Sequence, residues 1–289
     1  MELPPDRFPA VMDALGENTR TVIPFHFVLR RTASVWADDA LQNVVIRTAH
    51  PRTQVFVFGD DAGLLLDLIG SAGRARLYWV PEGCADEVER GLREWLGDSI
   101  DRLPDVQRTV DRPVDVPAPA GVDLRRLTRA DLSLLDSAHQ ELHWLYETWG
   151  DWERLVDEGI LVGAIVDGDL ASAGVTFARA SELDDIGVAT VSTHQRRGLS
   201  TACSALLVRE ILAEGRRPVW TVFVENTPSY RISEKLGFRT MTRCVVFRPR
   251  ADGLAVRAYP PPDCPYSPAE PQSAACEPCV GGGCTKQAH

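Results

Sequence analysis

Residues 194–202, HQRRGLSTA, lie between an apolar, strand-like run (Ile186 to Val191) and a helical pattern carried by Leu206, Leu207, Ile211 and Leu212. A chain that passes from strand through a glycine turn directly into a helix is committed there to an α/β arrangement. The junction also has a polar task. The first N–H groups of a helix lack partners one turn back, and the helix dipole favours an anion beside them. Taken alone, the stretch reads two ways: Arg196 and Arg197 with Gly198 form an anion site, or they are solvated charges around a tight turn. It matches neither the GxxxxGK[ST] phosphate loop nor the GxGxxG dinucleotide fingerprint.

The surrounding pattern is α/β throughout. NVVIRTA (43–49), QVFVFGD (54–60) and RARLYWV (74–80) have strand character, while LLLDLIG (64–70) and ADEVERGLREWL (85–96) have helical character. DRPVDVPAPAG (111–121) holds three prolines and reads as a stiff linker. Beyond it VDLRRL (122–127) is a short strand, and Thr128 is a helix N-cap with Asp131 three residues on. Two apolar runs around Asp167-Gly168-Asp169 form a hairpin. Next come the strand at 186–191, a helix at 198–214, a strand at 219–225, a helix from Thr227 to Leu236 ended by Gly237, and a strand through CVVF (244–247).

Two motifs in order and spacing decide between the readings of the opening stretch. QRRGLS fits the Q/R-x-x-G-x-G/A loop, and NTPSYRISEKLGF (226–238) resembles the N-x-x-S/A…EKLGF helix of the GNAT superfamily of acyl-CoA-dependent N-acyltransferases. The resemblance spans Val122 to Arg248 and implies an α/β GNAT fold, a mixed central sheet flanked by helices. The expected organisation is a smaller α/β N-terminal domain (1–115), a GNAT domain (116–250) and an unpacked tail (251–289). The N-terminal domain is structural and packs against the acceptor slot; a degenerate copy of the same fold is an open alternative.

The resemblance implies acetyl-CoA as co-substrate. The amides of Arg196, Arg197, Gly198, Leu199, Ser200 and Thr201, with Gln195, would surround its pyrophosphate. Thr190, Val191 and Ser192 would pair with the pantetheine arm, and Asn226 and Ser229 would flank the slot; Asn226 is equally an N-cap. Counting back eleven residues from Gln195, the family's usual spacing for a carboxylate base, gives Asp184, with Asp185 and Glu182 beside it. Where the family often has an acidic tyrosine, this chain has Ser233, and Tyr230 lies three residues earlier. Trp144, Tyr146 and Trp149 fall in the segment that selects the acceptor, although aromatics at mixed spacing also make core.

Acyl transfer to an amine needs a neutral amine, an oxyanion stabiliser and a proton for the leaving thiolate. The expected activity is therefore N-acyl, most simply N-acetyl, transfer to an amine, a small molecule rather than a protein. The alternative is a non-catalytic CoA-binding or interaction module. A net charge of −10 argues against a general nucleic-acid partner. No apolar run reaches the ~20 residues of a membrane helix, and MELPPDRFPA lacks the marks of a secretory signal, so the expected compartment is cytoplasmic. In the Pro/Gly/Ser-rich tail, Cys264, Cys276, Cys279 and Cys284 do not form the two close pairs of a usual zinc site, and no metal is expected.

Overall fold

The computed structural model describes residues 1–49 and 53–250; the tail cysteines and His50 lie outside the described residues. The first half runs β1 (Glu2–Leu3), α1 (Phe8–Leu15), α2 (Val22–Leu29), β2 (Ala33–Ala37), β3 (Val44–Thr48), β4 (Gln54–Phe58), α3 (Ala62–Ala72), β5 (Leu77–Pro81), α4 (Ala85–Leu96) and β6 (Ile100–Thr109). The second runs β7 (Asp123–Arg126), α5 (Leu132–Asp136), α6 (Trp152–Glu158), β8 (Leu161–Val166), β9 (Asp169–Arg179), β10 (Leu183–Thr190), α7 (Leu199–Ala213), β11 (Arg217–Phe223), α8 (Thr227–Lys235) and β12 (Arg239–Pro249).

Local chemistry explains the boundaries. Asp61 caps α3 by accepting from the Leu64 amide at 3.0 Å, and Thr128 with Asp131 forms a capping box. Asp167 and Gly168 both take positive φ (53° and 93°), the conformation a two-residue hairpin between twisted strands requires. In α4, Ala85, Val88 and Leu92 are buried, as helical spacing predicts.

The twelve strands of the described residues join one mixed sheet in the order β1-β2-β3-β4-β5-β12-β6-β11-β10-β9-β8-β7. Two sets of elements repeat: β2-β3-β4-α3-β5-α4-β6 and β8-β9-β10-α7-β11-α8-β12. In each, three antiparallel strands lead to one parallel pair, β4 with β5 and β10 with β11. The second copy left open by the sequence is therefore present in the topology. The last strands are exchanged: β6, from the first half, lies between β11 and β12, and β12 lies between β5 and β6. The loop before α3 reads Gly59-Asp60-Asp61, acidic where the loop before α7 is cationic.

Helices α3, α4, α7 and α8 cover one face of the sheet. Helices α1, α2, α5 and α6, with a 3-10 segment Gln140–Tyr146, cover the other. His26 of α2 is fully buried on this second face. Its Nδ1 accepts from the Arg179 amide and its Nε2 meets the Thr148 carbonyl, both at 3.0 Å, which requires the neutral ring with its proton on Nε2. Burial, helped by the Arg30 charge, pushes its pKa down to about 3. Glu17, after α1, accepts from the amides of Ser181, Glu182 and Leu183 and so anchors the start of β10. Among the described residues no helix is long and apolar enough to cross a membrane.

Candidate active site

Parallel strands β10 and β11 pair only from Leu183–Asp185 against Arg217–Val219. A bulge follows between Asp185 and Ile186; β10 then continues beside β9, and β11 beside β6. The two strands part, leaving the β10 edge beyond Asp185 without a strand neighbour on that side among the described residues. A bulge at such a point redirects side chains as well as the strand.

At the far end of β10 a 3-10 turn, Ser192–His194, leads to the loop and α7. Arg196 and Gly198 both have positive φ (59° and 80°), which curls the backbone into a concave, anion-accepting turn. Ala202 is the residue whose amide bonds back to Gly198 O, at 3.1 Å, so the amides of Leu199, Ser200 and Thr201 precede the helical ladder. A Cβ on Gly198 would meet no atom within 4 Å. Space in front of the loop is therefore open. Gln195 adds a buried side-chain donor, Nε2, without a partner among the described residues. Amides, exposed Arg196 and Arg197, and the helix end together fit a pyrophosphate. Ser192 is differently engaged: its amide and hydroxyl donate to the Glu141 carboxylate at 2.7 and 2.8 Å.

On the α1–α2 face, a row of polar groups crosses β10, β11, β6 and β12 where the strands begin to part. The Thr221 hydroxyl donates to Asp185 Oδ1 at 2.6 Å. Thr221 lies opposite Gln107, whose Nε2 donates to Asp105 Oδ1 at 2.5 Å and contacts Cys244 Sγ at 3.3 Å. Both carboxyl groups are buried, Asp105 at 1% exposure and Asp185 at 3%. Burial raises Asp185 to about 7 and carries Asp105 well above the carboxylate range, the Asp185 charge adding to the second shift. Asp105 Oδ2 and Gln107 Oε1 are buried with no partner among the described residues. A carboxylate balanced near neutrality is suited to taking a proton from an ammonium and passing it on.

Several expected residues have other work. Asp184 points away from this row, fully buried, and is held by Arg179 and Arg216 in ion pairs of 3.0 and 2.7 Å. With both oxygens taken by guanidinium groups it is a structural anion, and its neighbour Asp185 has the environment of a base. Ser233 is also sealed: it accepts from Arg108 Nη1 at 2.6 Å and donates to Tyr230 O at 2.7 Å. Asn226 caps α8 by accepting from the Ser229 amide at 3.4 Å, and Ser229 Oγ accepts from Trp220 Nε1 at 3.0 Å. Trp149 is core: 1% exposed, it donates to Thr176 O at 2.8 Å and packs edge-on against His26. Trp144 and Tyr146 remain half-buried on the same face as α5 and α6, the first against Phe177. Thr190 and Val191 hold β10 to β9 through Ser172 and Ala171. The sequence reading passed over Asp105 and Gln107, both carried by β6.

A mixed sheet with a parted parallel pair, an anion-ready loop after the first of the two strands, and a buried acid at the vertex defines an acyltransferase-type α/β fold. A sequence model of the GNAT acetyltransferase family matches residues 19–247, and the chain belongs to that family. It is 28% identical over 224 residues to an uncharacterized N-acetyltransferase encoded in the mutA 5' region of Streptomyces virginiae, covering 74% of this chain and 89% of that one. Its fold is similar to a GCN5-related N-acetyltransferase-like protein from Streptococcus suis (TM-score 0.64, 18% identity, 85% and 98% of the two chains). It is also similar to a GCN5-related N-acetyltransferase from Sphaerobacter thermophilus (TM-score 0.55, 16% identity, 87% and 97%).

Proposed function

We propose that the protein transfers an acyl group, in the simplest case acetyl, from acyl-CoA to an amine, with Asp185 as general base. The observation that carries this reading is the parting of β10 from β11 directly after the buried Asp185, with the open loop 195–201 at the other end of the same strand. In this reading the loop holds the pyrophosphate, the free β10 edge pairs with the pantetheine amides, and the amine approaches from the α1–α2 face.

Asp185 removes a proton from the ammonium. The neutral nitrogen then attacks the thioester carbonyl, the C–N bond forms, and the C–S bond breaks. Of the two protons the nitrogen gives up, one ends on the departing thiolate and one reaches solvent. Ser233 is tied to Arg108, so in this reading the thiolate takes its proton from another source, water included. The division at residues 115 and 116 then separates a half that carries the CoA loop from a half that carries β6 and its acid. Buried free thiols at Cys84, Cys203 and Cys244 support a reducing, cytoplasmic setting.

Thiol release from acetyl-CoA, followed with a panel of amines, tests the reading. Amine-dependent release that disappears in Asp185→Asn is the expected result. CoA binding without turnover of any amine would leave the non-catalytic alternative in its place.

A further inference from the structure

Glu141, in the 3-10 segment Gln140–Tyr146, commits both carboxylate oxygens to one residue at the far end of β10. Oε2 accepts from the Ser192 amide at 2.7 Å, and Oε1 accepts from the Ser192 hydroxyl at 2.8 Å. The side chain is only 14% exposed, and among the described residues no lysine or arginine pairs with it. His139 Nδ1, 3.6 Å away, accepts from the Glu141 amide and so has no proton for the carboxylate. A carboxylate withdrawn from water and held by two neutral donors is costly to keep.

The place it holds is where β10 gives way to the loop. Amides along a strand point alternately to its two edges. The Val191 amide bonds to Ala171 O on β9, so by alternation those of Thr190 and Ser192 belong to the opposite, open edge. Glu141 takes the second of them, and that edge ends at Thr190. Next, the His194 amide bonds back to Val191 O at 2.8 Å, which closes the 3-10 turn. His194 Nδ1 in turn accepts from Arg197 Nη1 at 2.8 Å. Glu141, Ser192, His194 and Arg197 thus form one run of contacts from the 3-10 segment into the loop.

We infer that Glu141 is a positioning residue for the CoA site: by holding Ser192 it sets where the pantetheine edge stops and how Arg197 and the loop amides meet the pyrophosphate. The inference rests on the CoA reading of loop 195–201 given above. Without the carboxylate, the Ser192 amide becomes a further donor on the open edge, and the arm can slide along it. The turn that presents His194 and Arg197 also loses its outside hold. Both effects weaken CoA rather than slow the chemistry, because Asp185 lies at the other end of β10 and keeps its bond to Thr221.

The test measures CoA affinity by calorimetry, and acetyl-CoA turnover by thiol release, in full-length Glu141→Ala, Glu141→Gln and Ser192→Ala. Glu141→Ala should raise the Kd for CoA and the KM for acetyl-CoA by about tenfold or more, the scale of one hydrogen bond to a charged group. Its kcat should stay within about threefold of wild type. Glu141→Gln keeps an acceptor oxygen and should recover part of the affinity. Ser192→Ala keeps the amide bond and should fall between wild type and Glu141→Ala. A Glu141→Ala protein with a lower melting temperature but a Kd within about twofold of wild type overturns the inference and leaves the CoA reading standing. A loss of kcat at unchanged KM does the same. If Glu141→Ala does not fold, the other two variants decide: a weaker affinity in either supports the inference, and unchanged affinity in both overturns it. A wild type that binds no CoA removes the reading of the loop, and the inference with it.

Discussion

Replacing Asp185 by asparagine should make the protein more stable and nearly inactive at once. The carboxyl moves from an ordinary 3.8 to about 7 on folding, chiefly because burial penalises its charge. Its folded pKa exceeds its unfolded one, so between these values the native state holds the proton more tightly, and stability falls as pH rises through that window. Each pH unit is worth about 1.4 kcal/mol, so above pH 7 the ionised group costs about 4 kcal/mol. Asparagine carries no charge at any pH and can keep the Thr221 bond through its carbonyl oxygen. Its extra N–H groups need acceptors, which offsets about 1 kcal/mol. Asp105, also raised and coupled to Asp185, is relieved in the same direction. Urea unfolding should therefore show Asp185→Asn gaining about 2–4 kcal/mol over the wild type at pH 8 and almost nothing at pH 4. Over the same range kcat/KM should drop by roughly 10²–10⁴, the range for a lost general base. A variant no more stable at pH 8 than at pH 4, or one with normal turnover, would refute the reasoning.

His26 predicts the opposite slope. Its folded pKa of about 3 lies below the unfolded 6.5, so its contribution is complete above pH 6.5 and is lost as pH falls, by about 2 kcal/mol at pH 5. In His26→Gln that part of the pH dependence should vanish from urea curves taken at pH 7.5 and 5; a difference from wild type that does not change with pH would count against it. Asp184→Asn should cost about 3 kcal/mol, by leaving Arg179 and Arg216 short of their anion, with kcat/KM of the folded protein within about threefold of wild type. An undiminished melting temperature with a hundredfold loss of activity would return the role of base to Asp184. Gly198→Asp should weaken CoA binding by about two orders of magnitude in calorimetry, since it puts a carboxylate in the open space before the loop. Gly198→Asn, neutral and tolerant of the φ of 80°, should keep most of the affinity, and equal affinities for both variants would remove the loop from the CoA site.

The strand–turn–helix junction at 192–201 was legible because its signals are local: apolar spacing, a glycine with positive φ, and the start of α7 all lie within a few residues. The paired carboxylates were not. Counting back from Gln195 assumes a regular strand and stops at Asp184, whereas the structure has a bulge between Asp185 and Ile186. Strand β6 was missed altogether. Its sequence, IDRLPDVQRT, mixes a proline with charges and has no clear alternation, and what makes it a strand is its seat between β11 and β12. The aromatics at 144–152 show the same limit: spacing could not separate Trp149, sealed against Thr176 and His26, from half-buried Trp144 and Tyr146. Burial is decided by what packs on top, and here that is a helix from the other half of the chain.

The exchanged strands also set an order of events during synthesis. Strand β6 leaves the ribosome well before β11 and β12 exist, and Arg108 on β6 waits for Ser233, 125 residues further on. At ~5–20 residues per second that interval is on the order of ten seconds, in which β6 has exposed edges and Asp105 remains in water, ionised. The sheet of the first half cannot close either, because the place beside β5 belongs to β12. Neither half is a complete folding unit, so truncation near the proline linker should yield two insoluble fragments, while the two fragments expressed together can recover the sheet. The polar row around Asp105 and Asp185 comes into being last, when the final strand slides in between β5 and β6.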